Sequence, residues 1–219
     1  MNTMKRTGVT LLEVVIVTAI MSIVLLALLG TMVIGQRSVN TGVAIANAIA
    51  DAEKAAADIV NDLAWAKIEP LPGDGLSVAF QVPVEVNGDV LNGNDEVNWG
   101  SYSGLNGKME YAYVASDKDE HKVNEPADDR DYNHDGDKTD IFALGRIVRR
   151  QFDGDMALVE EKPVTGPIII SGDMQGTGHT SPMFFMRGGA IIIDFYAYCE
   201  DDDGNVMAKH VQTSVVSMN

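Results

Sequence analysis

Apolar residues run almost without a break from Val9 to Ile34, and Glu13 is the only charge between Arg6 and Arg37. At 1.5 Å per residue this run would make a helix of about 39 Å. That is long enough to cross a hydrocarbon core of ~30 Å with some tilt. Beyond it the pattern changes from continuous to periodic. From Val39 to about Lys67, one apolar row falls at Val43, Ala46, Ala50, Ala57, Val60 and Ala64. A second falls at Ile45, Ile49, Ala52, Ala56, Ile59, Leu63 and Ala66. Steps of three and four predict an amphipathic helix, with Asn47, Asp51, Lys54, Asp58, Asn61 and Asp62 on its polar face. Gly30, Gly35 and Gly42 are weak points, each costing ~1 kcal/mol relative to alanine. Pro70, Pro72, Gly73 and Gly75 end the helix. One long helix is expected, with a separate amphipathic second helix as the alternative.

After Gly75 the period falls towards two, and the remainder predicts mostly β-structure. Leu76–Val86 and Lys108–Ala115 read as strands, with Pro83 marking an edge or bulge. Residues 86–104, rich in Asn and Gly, read as a loop. Ile141–Phe152 reads as a strand carrying Arg146, Arg149 and Arg150, the basic cluster of this region. Pro167–Ser171 is a short apolar strand and Gly172–Ser181 a loop. In Ala190–Cys199, Ile191, Ile193, Phe195 and Ala197 share one face, and Asp194, Tyr196 and Tyr198 the other. Asp202-Asp203-Gly204-Asn205 makes a turn, and Val206–Met218 returns as the second arm of a hairpin. The expected fold class is α+β, with a long N-terminal helix packed on a mostly antiparallel β head.

Charge narrows the partners. The 219 residues hold 16 Lys and Arg against 32 Asp and Glu, a net charge of −16. Direct nucleic-acid binding is not expected, because phosphate recognition needs clustered cations. Cys199 stands alone, so no intramolecular disulfide staples the head, and its apolar strand predicts a buried thiol. Lys5 and Arg6 precede the apolar run, which sets the head on the extracytoplasmic side.

Glu13 separates the readings of the apolar run. A secretory signal peptide would be shorter, and Ala27-Leu28-Leu29 is a poor cleavage site. A plain single-span anchor would not call for an acid, which costs roughly 2.5–3.5 kcal/mol at mid-membrane on insertion scales. The order of parts is Lys5-Arg6-Thr7-Gly8, then Val9-Thr10-Leu11-Leu12-Glu13 and an unbroken apolar helix. This arrangement resembles the precursor motif of type IV pilins and type II secretion pseudopilins. With a long helix, strands and a late hairpin, the chain also loosely resembles the larger minor pilins and J-type minor pseudopilins. The family's first mature residue is usually Phe; Val9 stands there in this chain.

The resemblance implies a non-enzymatic filament subunit. A prepilin peptidase would cut after Gly8, leaving Val9 as the mature N-terminus and the site of N-methylation. Glu13 would face the Val9 amine of a neighbouring subunit and set axial register. Residues 1–8 would be the leader, 9–38 the membrane and assembly half of the helix, 39–69 its amphipathic half and 70–219 the head. Loss of the leader removes Lys5 and Arg6 and no acid, leaving 14 bases against 32 acids. Implied partners are the peptidase, other pilin or pseudopilin subunits, an inner-membrane assembly platform, and membrane lipid before assembly. The implied location is a single-pass inner-membrane protein that passes into a periplasmic or surface filament. Without the pairing role, Glu13 would simply be an acid near a helix N-terminus, worth ~0.3–1 kcal/mol.

One head motif suggests a cofactor. Asp131, Asn133, Asp135 and Gly136 match positions 1, 3, 5 and 6 of an EF-hand loop. Phe142 stands where that loop has its bidentate Glu, so Asp137 and Asp140 would have to close a shorter Ca²⁺ site. A solvated acidic loop is the simpler alternative, as is a solvated turn for the acidic run Glu200–Asp203. These features support a second reading, a membrane-anchored calcium-dependent binding or adhesion module that does not polymerise. The sequence contains no H-E-x-x-H, G-x-S-x-G or P-loop motif, and His121, His134, His179 and His210 are scattered without ligand spacing.

Overall fold

A computed structural model describes residues 10–115, 144–170, 182–200 and 206–217. It contains one long N-terminal helix, α1 (Leu11–Ala64), and an eleven-stranded antiparallel sheet. Compactness divides the chain into residues 1–43 and 44–219.

In the first unit every described side chain of α1 up to Asn40 is exposed. Thr10 caps the helix: its Oγ1 accepts from the Glu13 amide at 3.3 Å, and its carbonyl accepts the amides of Glu13 and Val14. Thr-x-x-Glu at a helix start is the capping-box pattern. Further along, the Thr18 hydroxyl donates to the Val14 carbonyl, Ser22 to Thr18 and Thr31 to Leu28, at 2.8–3.0 Å. These hydroxyls therefore have partners within the helix itself, as an apolar surrounding requires.

In the second unit the helix acquires an inside. Ala52, Ala55, Ala56, Ile59 and Leu63 are buried. Small alanines let the backbone lie close to the sheet, and Ile59 and Leu63 fill the space beyond them. Of the two expected apolar rows the second supplies buried core residues (Ala52, Ala56, Ile59, Leu63 and Ala66), and from the first only Val60 and Ala64 pack, partly buried, against them. Val43, Ala46, Ala50 and Ala57 of the first row are exposed.

The strands are β1 (Lys67–Ile68), β2 (Ser77–Pro83), β3 (Trp99–Ser101), β4 (Gly104–Leu105), β5 (Lys108–Ala115) and β6 (Gly145–Phe152). There follow β7 (Leu158–Pro163), β8 (Ile168–Ile170), β9 (Phe184–Arg187), β10 (Ala190–Glu200) and β11 (Val206–Val215). The order across the sheet is β11-β10-β8-β6-β5-β2-β3-β4, with β1 on β2, β7 on β6 and β9 on β10. Register puts core residues opposite one another: Val78 faces Tyr111, Phe80 faces Met109, Ile191 faces Val215 and Phe195 faces Val211. Phe80 and Tyr111 also stack, with ring centroids 5.6 Å apart.

Several expectations change. Residues 86–104, read as loop, contain β3 and the start of β4. The strands β1, β7 and β9 were not anticipated. All six residues of β7 are exposed, so it has no alternation to detect, and β1 is only two residues long. The helix is continuous to Ala64, as expected, and not divided into two. Cys199 is half-buried rather than buried. A two-residue Gly188-Gly189 turn joins β9 to β10 with φ of 62° and 85°. Positive φ at both positions is what a type I′ hairpin requires, and glycine adopts it without steric cost.

Candidate functional site

Two regions of the molecule are unusual for a folded chain. The first is the apolar half of α1. Leu11, Leu12, Ile23, Leu26 and Ile34 are each at least two-thirds exposed. So much continuous apolar surface exceeds what a soluble monomer leaves open, and it fits a membrane-anchored single-pass helix. Gly30, Gly35 and Gly42 lie in the helix with no atom of the rest of the chain near where a Cβ would stand. Among the described residues nothing therefore requires glycine there. Glu13 sits in the first turn, where the exposed amides of the helix start favour an anion. The Thr10 cap that orients this turn was not read from the sequence, although Thr10-Leu11-Leu12-Glu13 carried the signal. Gly8 and Val9 lie outside the described residues.

The second region is the polar margin between α1 and β6. By alternation, odd-numbered residues of β6 face the helix: Ile147 is buried there, and Arg149 and Gln151 take the next two positions. The Tyr111 hydroxyl donates to Asp62 Oδ2 at 2.6 Å, and the Arg149 guanidinium lies 5.9 Å from the centre of the Tyr102 ring. Gln151 donates to the Ser103 hydroxyl and Ser101 donates to the Phe152 carbonyl at 2.7 Å, tying the β3–β4 turn to β6. Burial, the hydrogen bond to Asp62 and the negative charge of Asp62 push the Tyr111 hydroxyl well above its ordinary pKa. Burial also raises Tyr102.

In the unfolded chain Tyr111 loses its proton near pH 10, in the folded chain only at higher pH. The unfolded state therefore holds fewer protons above pH 10, and stability falls as pH rises through that range. Tyr111→Phe is expected to lower stability by about 1–3 kcal/mol near neutrality, because half-buried Asp62 loses its donor. It should also flatten the alkaline fall, which urea unfolding at pH 7 to 11 would measure. An alkaline slope identical to that of the unaltered chain would take Tyr111 out of this role.

The predicted basic cluster is divided by the sheet. Arg146 is exposed, Arg149 faces the helix, and Arg150 on the opposite face pairs with Glu161 and Glu110. His210 Nε2 lies 2.7 Å from Asp194 Oδ1 and its ring stacks on Tyr196, while Gln212 donates to the other Asp194 oxygen at 2.9 Å. No group of three His, Cys, Asp or Glu residues able to hold a metal ion occurs among the described residues. Asp131, Asn133, Asp135, Asp137 and Asp140 lie outside them, as do His121, His134, His179 and the turn at Asp202–Asn205.

Comparison with known proteins bears on the first region. Residues 3–29 match the prokaryotic N-terminal methylation motif. The chain thus carries a prepilin-type N-terminus, consistent with the type IV pilin and pseudopilin family. No curated protein and no solved structure matches the chain. The motif implies processing by a prepilin peptidase and assembly with other pilin subunits.

Proposed function

We propose that this chain is a non-enzymatic structural subunit, a minor component of an extracytoplasmic type IV pilus-like filament or type II secretion pseudopilus. One coincidence carries the reading. Of the residues that match the prepilin motif, 11–29 belong to the same helix half whose apolar side chains are all exposed. An exposed apolar helix needs lipid before assembly and neighbouring helices after it, and a filament core supplies the second. In this scheme the peptidase cuts after Gly8 on the cytoplasmic side, and the Val9 amine becomes available to Glu13 of the next subunit. An inner-membrane platform moves the subunit from lipid into the filament, with the head in the periplasm or at the surface.

Intact-mass analysis of the chain from cells with and without the peptidase tests the processing step. A chain beginning at Val9 in the first and at Met1 in the second is expected. A chain beginning at Met1 in both would contradict the proposal and favour the membrane-anchored binding module.

A further inference from the structure

Strand β11 is one edge of the sheet, with β10 as its neighbour. The two pair over Val206–Val215 without a register shift. The Asp194 amide donates to the Met183 carbonyl and the Tyr198 amide to the Pro167 carbonyl. The even residues of β10 therefore turn their backbone groups away from β11, and the odd ones bond to their odd-numbered partners on it. That leaves the N–H and C=O groups of Ala208, His210, Gln212 and Ser214 on the open side, and none of these backbone groups is bonded among the described residues. Sheet edges are commonly blunted by shortness, charge, proline or a bulge. The edge strand β4 has two residues, and β7 combines a register shift in its pairing with Glu160, Glu161, Lys162 and a terminal Pro163. Strand β11 has only Lys209 of these devices.

We propose that the β11 edge pairs antiparallel with the β11 edge of a second copy of this chain, about a twofold axis at Val211. Charge and register choose this occupant. The chain holds 32 acids against 16 bases, so its acidic surfaces repel their own copies. The ten residues of β11 contain no acid, so two copies can meet here without opposing carboxylates. A twofold at Lys209 would set that cation against itself, and one at His210 would oppose two imidazoles. A twofold at Gln212 would set Val211 against Thr213 and Lys209 against Val215. The twofold at Val211 sets Val211 against Val211, Lys209 against Thr213 and His210 against Gln212, with no like charges opposed. It also preserves the faces of the sheet, because Val211 and Val215 are buried on the core side and opposed residues share a face. The outward backbone groups then exchange hydrogen bonds, His210 with Gln212 and Ala208 with Ser214, on both sides of the axis. Val211 takes the closer, non-hydrogen-bonded position, where facing side chains touch. Strand addition of this kind gives affinity through main-chain bonds. A twofold contact closes on itself and cannot propagate a filament, so it joins heads in pairs and does not rest on the filament reading.

The test is disulfide trapping of the full chain in non-ionic detergent micelles, with Cys199→Ser removing the native thiol. Across a non-hydrogen-bonded pair the Cα atoms lie about 4.5 Å apart, within the roughly 4.4–6.8 Å that a disulfide spans. Two copies of residue 214 would lie about 20 Å apart, six residues along the strand. Under diamide, Val211→Cys should therefore give at least about tenfold more cross-linked dimer than Ser214→Cys. Ser214→Pro removes an outward N–H and leaves the bonds to β10 intact. Added to Val211→Cys, it should cut the cross-linking by about tenfold or more, since each copy loses a bond. The comparison of the two cysteines decides the matter by itself if the proline variant does not fold. A dimer held only by α1 in the micelle would not distinguish positions 211 and 214 and would not respond to Ser214→Pro. Equal cross-linking at both positions, none at Val211→Cys, or cross-linking undiminished by a folded Ser214→Pro variant would each overturn the proposal.

Discussion

Glu13→Ala is expected to leave the chain in the membrane and to exclude it from the filament. Removing an acid from the apolar run lowers the cost of insertion, so membrane-bound chain should be undiminished or increased. Assembly runs the other way. If the Val9 amine is buried beside Glu13 of a neighbour, removing the acid leaves a buried cation without its partner, which typically costs 3–5 kcal/mol. That is more than a hundredfold in the subunit equilibrium.

The Thr10 cap introduces a competing effect, because Glu13 also sits where the first helical turn favours an anion. Glu13→Gln separates the two. It keeps the side chain's length and polarity, and the cap itself comes from Thr10, so the helix start should survive. The charge is lost, so incorporation should still fail. The measurement is the ratio of variant to unaltered subunit in sheared filaments from cells expressing both. Normal incorporation of Glu13→Gln would remove Glu13 from any registering role.

The second large effect is a proposal about calcium. If Asp131, Asn133, Asp135, Asp137 and Asp140 surround Ca²⁺, the ion stabilises the folded chain by mass action. The gain is about 2.7 kcal/mol when free calcium is a hundredfold above the dissociation constant. Only Arg130 and Lys138 offset the acids between Asp129 and Asp140, so without a cation the carboxylates repel. An extracellular site can operate at a dissociation constant of roughly 0.1–1 mM. Melting the full chain in detergent with EDTA and then with millimolar calcium should show a rise that disappears in Asp131→Ala/Asp135→Ala. An equal rise in the double variant would point to the Glu200–Asp203 run or to general screening. No rise in the unaltered chain would leave the motif a solvated acidic loop.

What could be read in advance depended on the range of the interactions. The helix announced itself because a long apolar run and a 3.6-residue period are local properties of the chain. Lys108–Ala115 appears with the expected bounds, and the inward face of β10 is the predicted one of Ile191, Ile193, Phe195 and Ala197. Which apolar row of the helix would face the sheet was not legible. Both rows have the same spacing, and the choice is made by Val78, Phe80 and Ile147 on the strands beneath. The pairing of Tyr111 with Asp62 joins residues 49 apart in sequence, and no local pattern marks it. The opposition of Arg149 and Lys162 across β6 and β7 likewise depends on a β7 that has no alternation to reveal it. Two further features do have local signals, the Thr10–Glu13 capping pattern and the Gly188-Gly189 turn.

The most direct test of the central claim is the N-terminal residue of the chain recovered from purified extracellular or periplasmic filaments. The account predicts that filaments contain the chain and that it begins at Val9. Filaments lacking it, with full-length chain beginning at Met1 confined to the inner membrane, would contradict the account.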